Sequence, residues 1–198
     1  MTIKCWSELQ DLYGCAACST LSELNDMGIP ASCEGDVPGL VTMDILHSLT
    51  GKTSFFADLV CRCDGAGIKA WHCGFGPFSL ADSSGKKAFI EQVTLRNGCG
   101  AGHQYTMKTG RVTMCRFSET QEGYRIFAAP GYTKAPDRKI LGVQTDIIFD
   151  AGFDKVLSCI IENGFEQHYA IVHEDVCDQL KVFSKWMNMG YIQEKVGE

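Results

Sequence analysis

The sequence lacks long apolar runs and long basic tracts. Hydrophobic residues make up 45% of its 198 residues, yet no run approaches the roughly 20 apolar residues of a transmembrane helix. No basic tract is longer than Lys86-Lys87, and the formal net charge is -6, so nucleic acid is not expected as a partner. The first ten residues, MTIKCWSELQ, lack the apolar core of a signal peptide. We therefore expect a cytoplasmic globular protein that binds neither membranes nor nucleic acid.

Cysteine, in contrast, is abundant, with eleven residues. The count is odd and no export signal is visible, so most thiols should be reduced rather than paired in disulfides. Two pairs have spacings that suggest a zinc site, Cys15 with Cys18 and Cys61 with Cys63. The second pair is CxC rather than CxxC, and the first falls inside a helical pattern. We expect these residues to act as small core hydrophobes.

Helix and strand patterns alternate over the first 64 residues. Apolar spacing predicts a helix over residues 6–27, broken near Gly14, and a second helix over 39–49. Short apolar runs predict strands over 29–33 and 54–60. This alternation is typical of an α/β layer, and we predict that residues 1–64 are the end of an α/β, Rossmann-like domain.

From about residue 65, short strand patterns follow one another at close spacing. The predicted strands cover 68–73, 88–95, 103–107, 111–117, 124–130, 141–149 and 168–173, and the predicted helices cover 153–163 and 174–189. Glycine and polar turns separate the strands, which favours an antiparallel sheet or small barrel. The predicted fold class is α+β, with a small α/β layer followed by an antiparallel β-rich domain, residues 65–198, and flanking helices.

The chain opens almost directly on a helix pattern, with no strand before it. A two-stranded α/β layer is too small to stand alone. Either this layer packs on the β-rich region, or the chain is the last part of a longer protein, and we favour the second.

Two carboxylates, Glu34 and Asp36, flank Gly35 at the predicted strand-to-helix junction. In α/β units, ligands bind at the carboxyl ends of strands, which makes both residues candidates for a binding site. Asp36 is equally suited to cap the following helix. Glu8 lies in the first turn of the first helix, where the helix dipole favours a carboxylate even without a function.

Two histidines, His72 and His168, lie at strand ends. Each is either a core histidine bonded to backbone or a ligand. Carboxylates together with an imidazole suit a divalent ion such as Mn²⁺ or Mg²⁺. Such an ion polarises a carbonyl while a carboxylate moves a proton, which is what an aldose–ketose isomerase requires.

Several segments, in order, resemble the carboxyl-terminal part of the L-fucose isomerase-like family, of the L-fucose/L-arabinose isomerase type. They are CWSELQ (5–10), NDMGIPASCEGDVPG (25–39), LVTM (40–43), LTG (49–51), WHCG (71–74), GRVTMCRF (110–117) and NGFEQHYA (163–170). The resemblance covers nearly the whole chain, and the CEGD segment is its most specific part.

This resemblance implies a metal-assisted isomerase, an intramolecular oxidoreductase. In that family a glutamate, an aspartate and a histidine bind manganese, and the two carboxylates move protons through an ene-diol. Matched motif by motif, the glutamate is Glu8, the aspartate is Asp36 and the histidine is His168. The implied catalytic residues are Glu8 and Asp36, and the implied cofactor is Mn²⁺ or another divalent cation such as Mg²⁺.

Further implications concern the sugar and the assembly. Glu34 is a reserve ligand or a partner of a ligand, and Trp71 and His72 are expected near the sugar. Members of the family carry substantial amino-terminal domains that are absent here, and those domains help form oligomers. We expect a homo-oligomer in the full-length context, and a chain that holds the metal ligands but can lack turnover by itself.

Two other functions stay open. One is a non-catalytic carbohydrate-binding or regulatory module with the same fold. The other is a cysteine-based zinc or redox protein. The presence of all three expected ligand types favours a catalytic ancestry.

Overall fold

The computed structural model describes residues 1–5, 7–65, 67–90 and 100–194. The helices are α1 (Glu8–Tyr13), α2 (Cys18–Asp26), α3 (Val37–Thr50), α4 (Phe153–Glu162) and α5 (Cys177–Trp186), with a 3-10 turn at Phe78–Leu80. The strands are β1 (Ser54–Cys63), β2 (Gly67–His72), β3 (Ala88–Ile90), β4 (Gly102–Thr106), β5 (Gly110–Thr120), β6 (Gly123–Lys134), β7 (Val143–Phe149), β8 (His168–Val172) and β9 (Gly190–Ile192).

Six of these strands close into an antiparallel barrel. Their order is β7-β2-β1-β8-β5-β6, and β6 pairs back with β7 to complete the circle. Strand β4 extends the sheet beside β7, and β9 extends it beside β6, both in parallel. Strand β3 pairs with β4. The mixed α+β class with an antiparallel barrel agrees with the prediction.

Alternation along the strands divides the apolar side chains between two cores. Phe55 of β1 and Ile171 of β8 belong to one cluster, together with side chains of α4. Their neighbours Phe56 and Ala170 belong to a second cluster, which includes side chains of α2, α3 and α5. Because successive residues of a strand point to opposite faces, the barrel is filled on its inside and covered by helices on its outside.

Helix α3 begins at a well-formed cap. The Asp36 carboxylate accepts a hydrogen bond from the Gly39 backbone N–H at 2.7 Å, and a proline follows at the start of the helix. Gly51, at φ 65°, ends the helix in the left-handed conformation. The cap fixes the direction in which the chain leaves residues 32–36, and this turn carries the predicted carboxylates.

The predicted strand over 29–33 was wrong. Within the described residues, this stretch contributes one isolated parallel bridge, between Ser32 and Thr2. The Asn25 side chain bonds both backbone groups of Ala31, donating to its carbonyl at 2.7 Å and accepting from its N–H at 3.3 Å. Those groups are thereby withdrawn from strand pairing, and Pro30 has no N–H to contribute.

Other predicted elements have mixed outcomes. The break near Gly14 is confirmed, since this residue ends α1 at φ 62°. The predicted start of the first helix at residue 6, and the part of the predicted strand 88–95 beyond Ile90, lie outside the described residues.

The predicted domain boundary falls in the hairpin between β1 and β2, which are paired in one barrel. The division into 1–64 and 65–198 stays a prediction. In the described part of the chain, no helix is long and apolar enough to cross a bilayer.

Candidate functional site

Three neighbouring strands bring polar residues side by side. Asp58 of β1 lies directly opposite His168 of β8 and, on its other side, opposite Trp71 of β2. Opposed residues in antiparallel strands share one face of the sheet and approach each other closely. The turn at residues 32–36 packs over the same place, because its Asp36 reaches His168.

His168 is the centre of this arrangement. Its Nδ1 lies 3.1 Å from Asp36 Oδ2, and its Nε2 lies 3.3 Å from Asp58 Oδ1 and 3.7 Å from Glu34 Oε2. Burial alone would lower the pKa of His168, but the hydrogen bond to Asp36 and the charge of Asp58 outweigh it and raise the pKa to about 9. The Nε2 atom is buried and has no partner with hydrogen-bond geometry among the described residues.

Asp36 is saturated with donors. Arg116 donates to both of its oxygens, at 2.7 and 3.2 Å, the Gly39 N–H donates at 2.7 Å, and His168 lies at 3.1 Å. Burial raises the pKa of a carboxyl, but the bonds from His168, Arg116 and Gly39 prevail and hold the pKa of Asp36 well below its usual range. As placed, Asp36 orients His168 and leaves no oxygen open toward another ligand.

Arg116 is a buried cation with two anionic partners. Its side chain is 2% exposed, and its Nε lies 3.3 Å from Glu166 Oε2 in addition to the contacts with Asp36. Ser118 donates a further hydrogen bond to Glu166 at 3.0 Å. A guanidinium so enclosed holds both carboxylates in place.

Glu34 adopts an uncommon backbone conformation. Its φ is 61°, and Gly35 follows at φ 74°, so two successive residues are left-handed. Outside glycine, this region costs free energy and is often retained at functional sites. The turn directs the Glu34 carboxylate toward His168.

His72 adds a second buried imidazole. Its ring stacks near that of His168, with centroids 6.3 Å apart, and its Nδ1 lies 3.6 Å from Cys73 Sγ. Its Nε2 is buried and has no hydrogen-bond partner in the described residues. One donor atom each of Glu34, His72 and His168 lie within 4.8 Å of one another, which is close enough to share a metal ion.

Carboxylates outnumber cations in this place. Even with His168 protonated, four carboxylates face two positive groups, which leaves a surplus of two negative charges. We call this group of residues the His168 cluster; its members are Glu34, Asp36, Asp58, His72, Arg116, Glu166 and His168. Excess negative charge beside two imidazoles, of which His168 would lose a proton to bind a metal, provides a suitable environment for a divalent cation.

The structure brings together most of the predicted site residues. Asp36, His168, Glu34 and His72 belong to the cluster, and Trp71 lies beside Asp58, with its indole N–H bonded to the Leu141 carbonyl. These positions do not by themselves test the predicted roles.

Glu8 lies apart from the cluster. Its carboxylate pairs with Lys4 at 2.6 Å, and that hydrogen bond lowers the pKa of Glu8. Lys4 packs beside Gly35, so Glu8 is near the turn, but among the described contacts none joins it to the cluster.

Sequence reasoning missed Asp58, Arg116 and Glu166. Asp58 interrupts the apolar run of β1, and Arg116 occupies a position in β5 where the alternation of Val112 and Met114 predicts an apolar side chain. A charged residue at a position where the strand pattern predicts an apolar one could therefore have identified Asp58 and Arg116 from the sequence.

The cysteine pairs considered for zinc lie apart. Cys18 is buried in α2 and Cys15 is exposed before it, whereas Cys61 and Cys63 belong to β1. In the described part of the chain, the metal-compatible group that contains Cys63 is completed by Asp137 and Asp146, not by another cysteine. The arrangement does not favour a cysteine-based zinc site.

Comparisons with known proteins point to sugar isomerases. No family model matches the chain. It is 30% identical over 196 residues to a protein named sulfoquinovose isomerase from Alkalicoccus urumqiensis, covering 98% of this chain and 44% of that protein. A sulfoquinovose isomerase from Priestia megaterium is 30% identical over 192 residues, covering 96% of this chain and 42% of that protein. The chain thus spans less than half the length of these relatives.

Proposed function

We propose that this chain carries the cation-binding part of an aldose–ketose isomerase. The observation that carries the proposal is that donor atoms of Glu34, His72 and His168 lie within 4.8 Å of one another beside surplus carboxylates, and that neither imidazole Nε2 has a partner with hydrogen-bond geometry among the described residues. Similarity along nearly the whole chain to proteins named sulfoquinovose isomerase supports the same reaction class. The resemblance to the L-fucose isomerase-like family, read from the same sequence, implies the same reaction class.

The cation is Mn²⁺, or another divalent ion such as Mg²⁺, and His168 is its central ligand. The open donors favour Glu34 and His72 as companions. The family resemblance instead implies Glu8 and Asp36. For that set to bind the ion, Asp36 would have to give up its ion pair with Arg116, and Glu8 would have to give up its ion pair with Lys4. Both sets share His168 and differ in every other ligand, so single substitutions distinguish them.

Each side chain of the cluster has a separate task. Asp36 holds the Nδ1 side of His168, which turns Nε2 toward Asp58 and Glu34. Arg116 keeps Asp36 ionised so that this orientation persists. When bound, the ion would polarise the carbonyl of an open-chain sugar.

An ene-diol reaction needs a group that takes a proton from the carbon beside the carbonyl and returns it to the neighbouring carbon. Glu34 suits this role because, in the described part of the chain, no hydrogen bond occupies its carboxylate, which is half-buried beside His168. The resemblance assigns proton transfer to Glu8 and Asp36. Asp36 would be a weak base in its present contacts, because its pKa is held so low.

The substrate we propose is an aldose in its open-chain form. Trp71 offers an aromatic face next to Asp58, which suits the apolar side of a sugar. The relatives are named for sulfoquinovose, whereas the family resemblance implies L-fucose or L-arabinose. All three sugars therefore belong in the test, and the homo-oligomer stays a prediction for the longer protein.

The experiment follows the sugar in D₂O. The chain is incubated with Mn²⁺ and each sugar in turn, and NMR monitors ketose formation and deuterium at the carbon that receives the proton. We expect deuterated ketose from at least one sugar, because a carboxylate exchanges its proton with solvent. The His168→Ala variant should be inactive. His47→Ala, which replaces a half-buried histidine of α3 outside the His168 cluster, is the matched control and should retain activity.

A contrasting result would favour the carbohydrate-binding module, or a chain that binds the cation and needs further domains for turnover. Sugar and Mn²⁺ would then bind, but no deuterium would enter any sugar. Mn²⁺ titrations of Glu34→Gln, Asp36→Asn and Glu8→Gln decide between the ligand sets. The geometric set predicts a large loss of affinity in Glu34→Gln and none in Glu8→Gln, and the reverse would support the set implied by the resemblance.

A further inference from the structure

Two buried thiols lie at the base of the turn that carries Glu34. The Sγ atoms of Cys5 and Cys33 are 3.4 Å apart, and both side chains are buried. We propose that Cys5 and Cys33 form an oxidisable pair, which a hydroperoxide converts to a disulfide that clamps residues 1–5 to the turn at residues 32–36.

The geometry of the pair supports this assignment. A disulfide bond is about 2.05 Å long, so the two sulfurs need to approach by little more than an ångström, which small side-chain rotations supply. The residues are 28 positions apart and lie on separate segments, so the bond would join two parts of the fold. Hydrogen peroxide is small enough to reach a site that a bulky disulfide reagent could not.

The chemistry balances with the peroxide as the only oxidant. Peroxide oxidises one thiol to a sulfenic acid and releases one water. The second thiol then attacks that sulfur, forms the S–S bond and releases a second water. Two thiols lose two electrons and two protons in total, and the two oxygens of the peroxide leave as water.

The clamp would act where the amino-terminal end of the chain meets the turn. Four hydrogen bonds join residues 1–3 to residues 30–35, among them Gly35 N–H to the Ile3 carbonyl at 3.0 Å. Chain ends are where local opening is concentrated. A covalent link would hold Glu34 and Asp36 against this segment, and any effect on cation affinity rests on the proposed function.

The test uses the metal-free chain with a chelator present, so its result does not depend on cation binding. The reduced chain is treated with hydrogen peroxide, and peptide mapping locates the disulfide. Hydrogen exchange then follows the Gly35 amide. We expect a Cys5–Cys33 link and, because opening of the segment is blocked, exchange at Gly35 slowed by about tenfold or more. Reduction should reverse both changes.

Variants separate this pair from the other thiols. Cys5→Ala and Cys33→Ala should each abolish the link, and peroxide should then convert the remaining thiol to a sulfenic acid that a sulfenic-acid probe traps. Cys61→Ser replaces an exposed cysteine and should leave the link intact. A disulfide mapped to Cys18 and Cys73, which also contact each other, or no disulfide at all, would overturn the proposal. So would a Cys5–Cys33 link that leaves exchange at Gly35 unchanged.

Discussion

Two buried polar clusters lie on the same barrel, and they differ in how completely their groups are paired. The Lys69 cluster consists of Lys69, Asp137 and Asp146, with Cys63 beside them. Lys69 is 3% exposed and its ammonium lies 2.6 Å from Asp146 Oδ1, while the Asp137 N–H donates to the other oxygen of Asp146 at 3.1 Å. This site already contains its cation.

The His168 cluster shows the opposite condition. It has more carboxylates than cations, and among the described residues two of its buried imidazole nitrogens have no partner with hydrogen-bond geometry, although Asp58 lies 3.3 Å from one of them. Both clusters contain groups that could hold a metal. The comparison shows that ligand type alone does not identify a site, since a cluster that is fully paired within the protein has no need of an ion.

The largest effect we predict is on the Lys69 cluster. Asp146→Ala would leave the buried Lys69 ammonium with Asp137 alone, at 3.8 Å. Breaking one side of a buried ion pair typically lowers the free energy of unfolding by about 3–5 kcal/mol. Urea unfolding followed by circular dichroism measures it. Asp154→Ala, which removes an exposed partner of Arg62, is the control and should be measurably unchanged. A similarly small change for Asp146→Ala would contradict the structural role of the cluster.

The second largest effect we predict is a pH dependence of the free energy of unfolding that comes from the His168 cluster. In the metal-free chain, the pKa of His168 is about 9, above its unfolded value of 6.5. A raised pKa contributes stability that is fully present below pH 6.5 and is lost as the pH rises through about 9. We expect a decrease of about 3 kcal/mol in the free energy of unfolding across this window.

The check on that prediction is a series of unfolding curves between pH 6 and 10. His168→Gln should remove the decrease, because glutamine does not titrate. If the parent and the variant lose stability in parallel, the protonated state of His168 is not what stabilises the cluster.

On the acid side, the lowered pKa of Asp36 predicts a pH dependence of the opposite sign. The free energy of unfolding should decrease as the pH falls through the folded pKa of Asp36.

The smallest effect concerns Glu8, which lies outside both clusters. Glu8→Gln removes an exposed ion pair with Lys4, and such pairs contribute little. The melting midpoint of the metal-free chain should not change measurably. A clear decrease would show that Glu8 has contacts beyond Lys4 and would draw it toward the His168 cluster.

Local patterns were sufficient to predict much of the fold. The apolar spacing of α3 and the alternation in β5 reflect contacts that each element makes along its own face. The strand pattern left an open antiparallel sheet and a small barrel as alternatives, because the pairing of β6 with β7 that closes the barrel depends on register rather than on pattern. The strand at 29–33 failed because a single side chain, Asn25, bonds the backbone of Ala31.

The candidate site could be predicted only in part. Asp36 and His168 are 132 positions apart, and the resemblance to a family, rather than any periodicity, suggested that they act together. Asp58 was missed because its place beside His168 follows from the register of β1 with β8. Arg116 was missed because a buried arginine is rare and depends on partners that lie far away in the sequence.

The central claim is that the His168 cluster, unlike the Lys69 cluster, is completed by a divalent cation. The direct test is thermal unfolding with and without Mn²⁺ for the parent, His168→Ala and Asp146→Ala. Mn²⁺ at about a hundred times its dissociation constant adds roughly 2.7 kcal/mol, on the order of 5–10 °C for a chain of this size. We predict this shift in the parent and in Asp146→Ala, and none in His168→Ala. A shift that persists in His168→Ala, or its absence from the parent, would contradict the account.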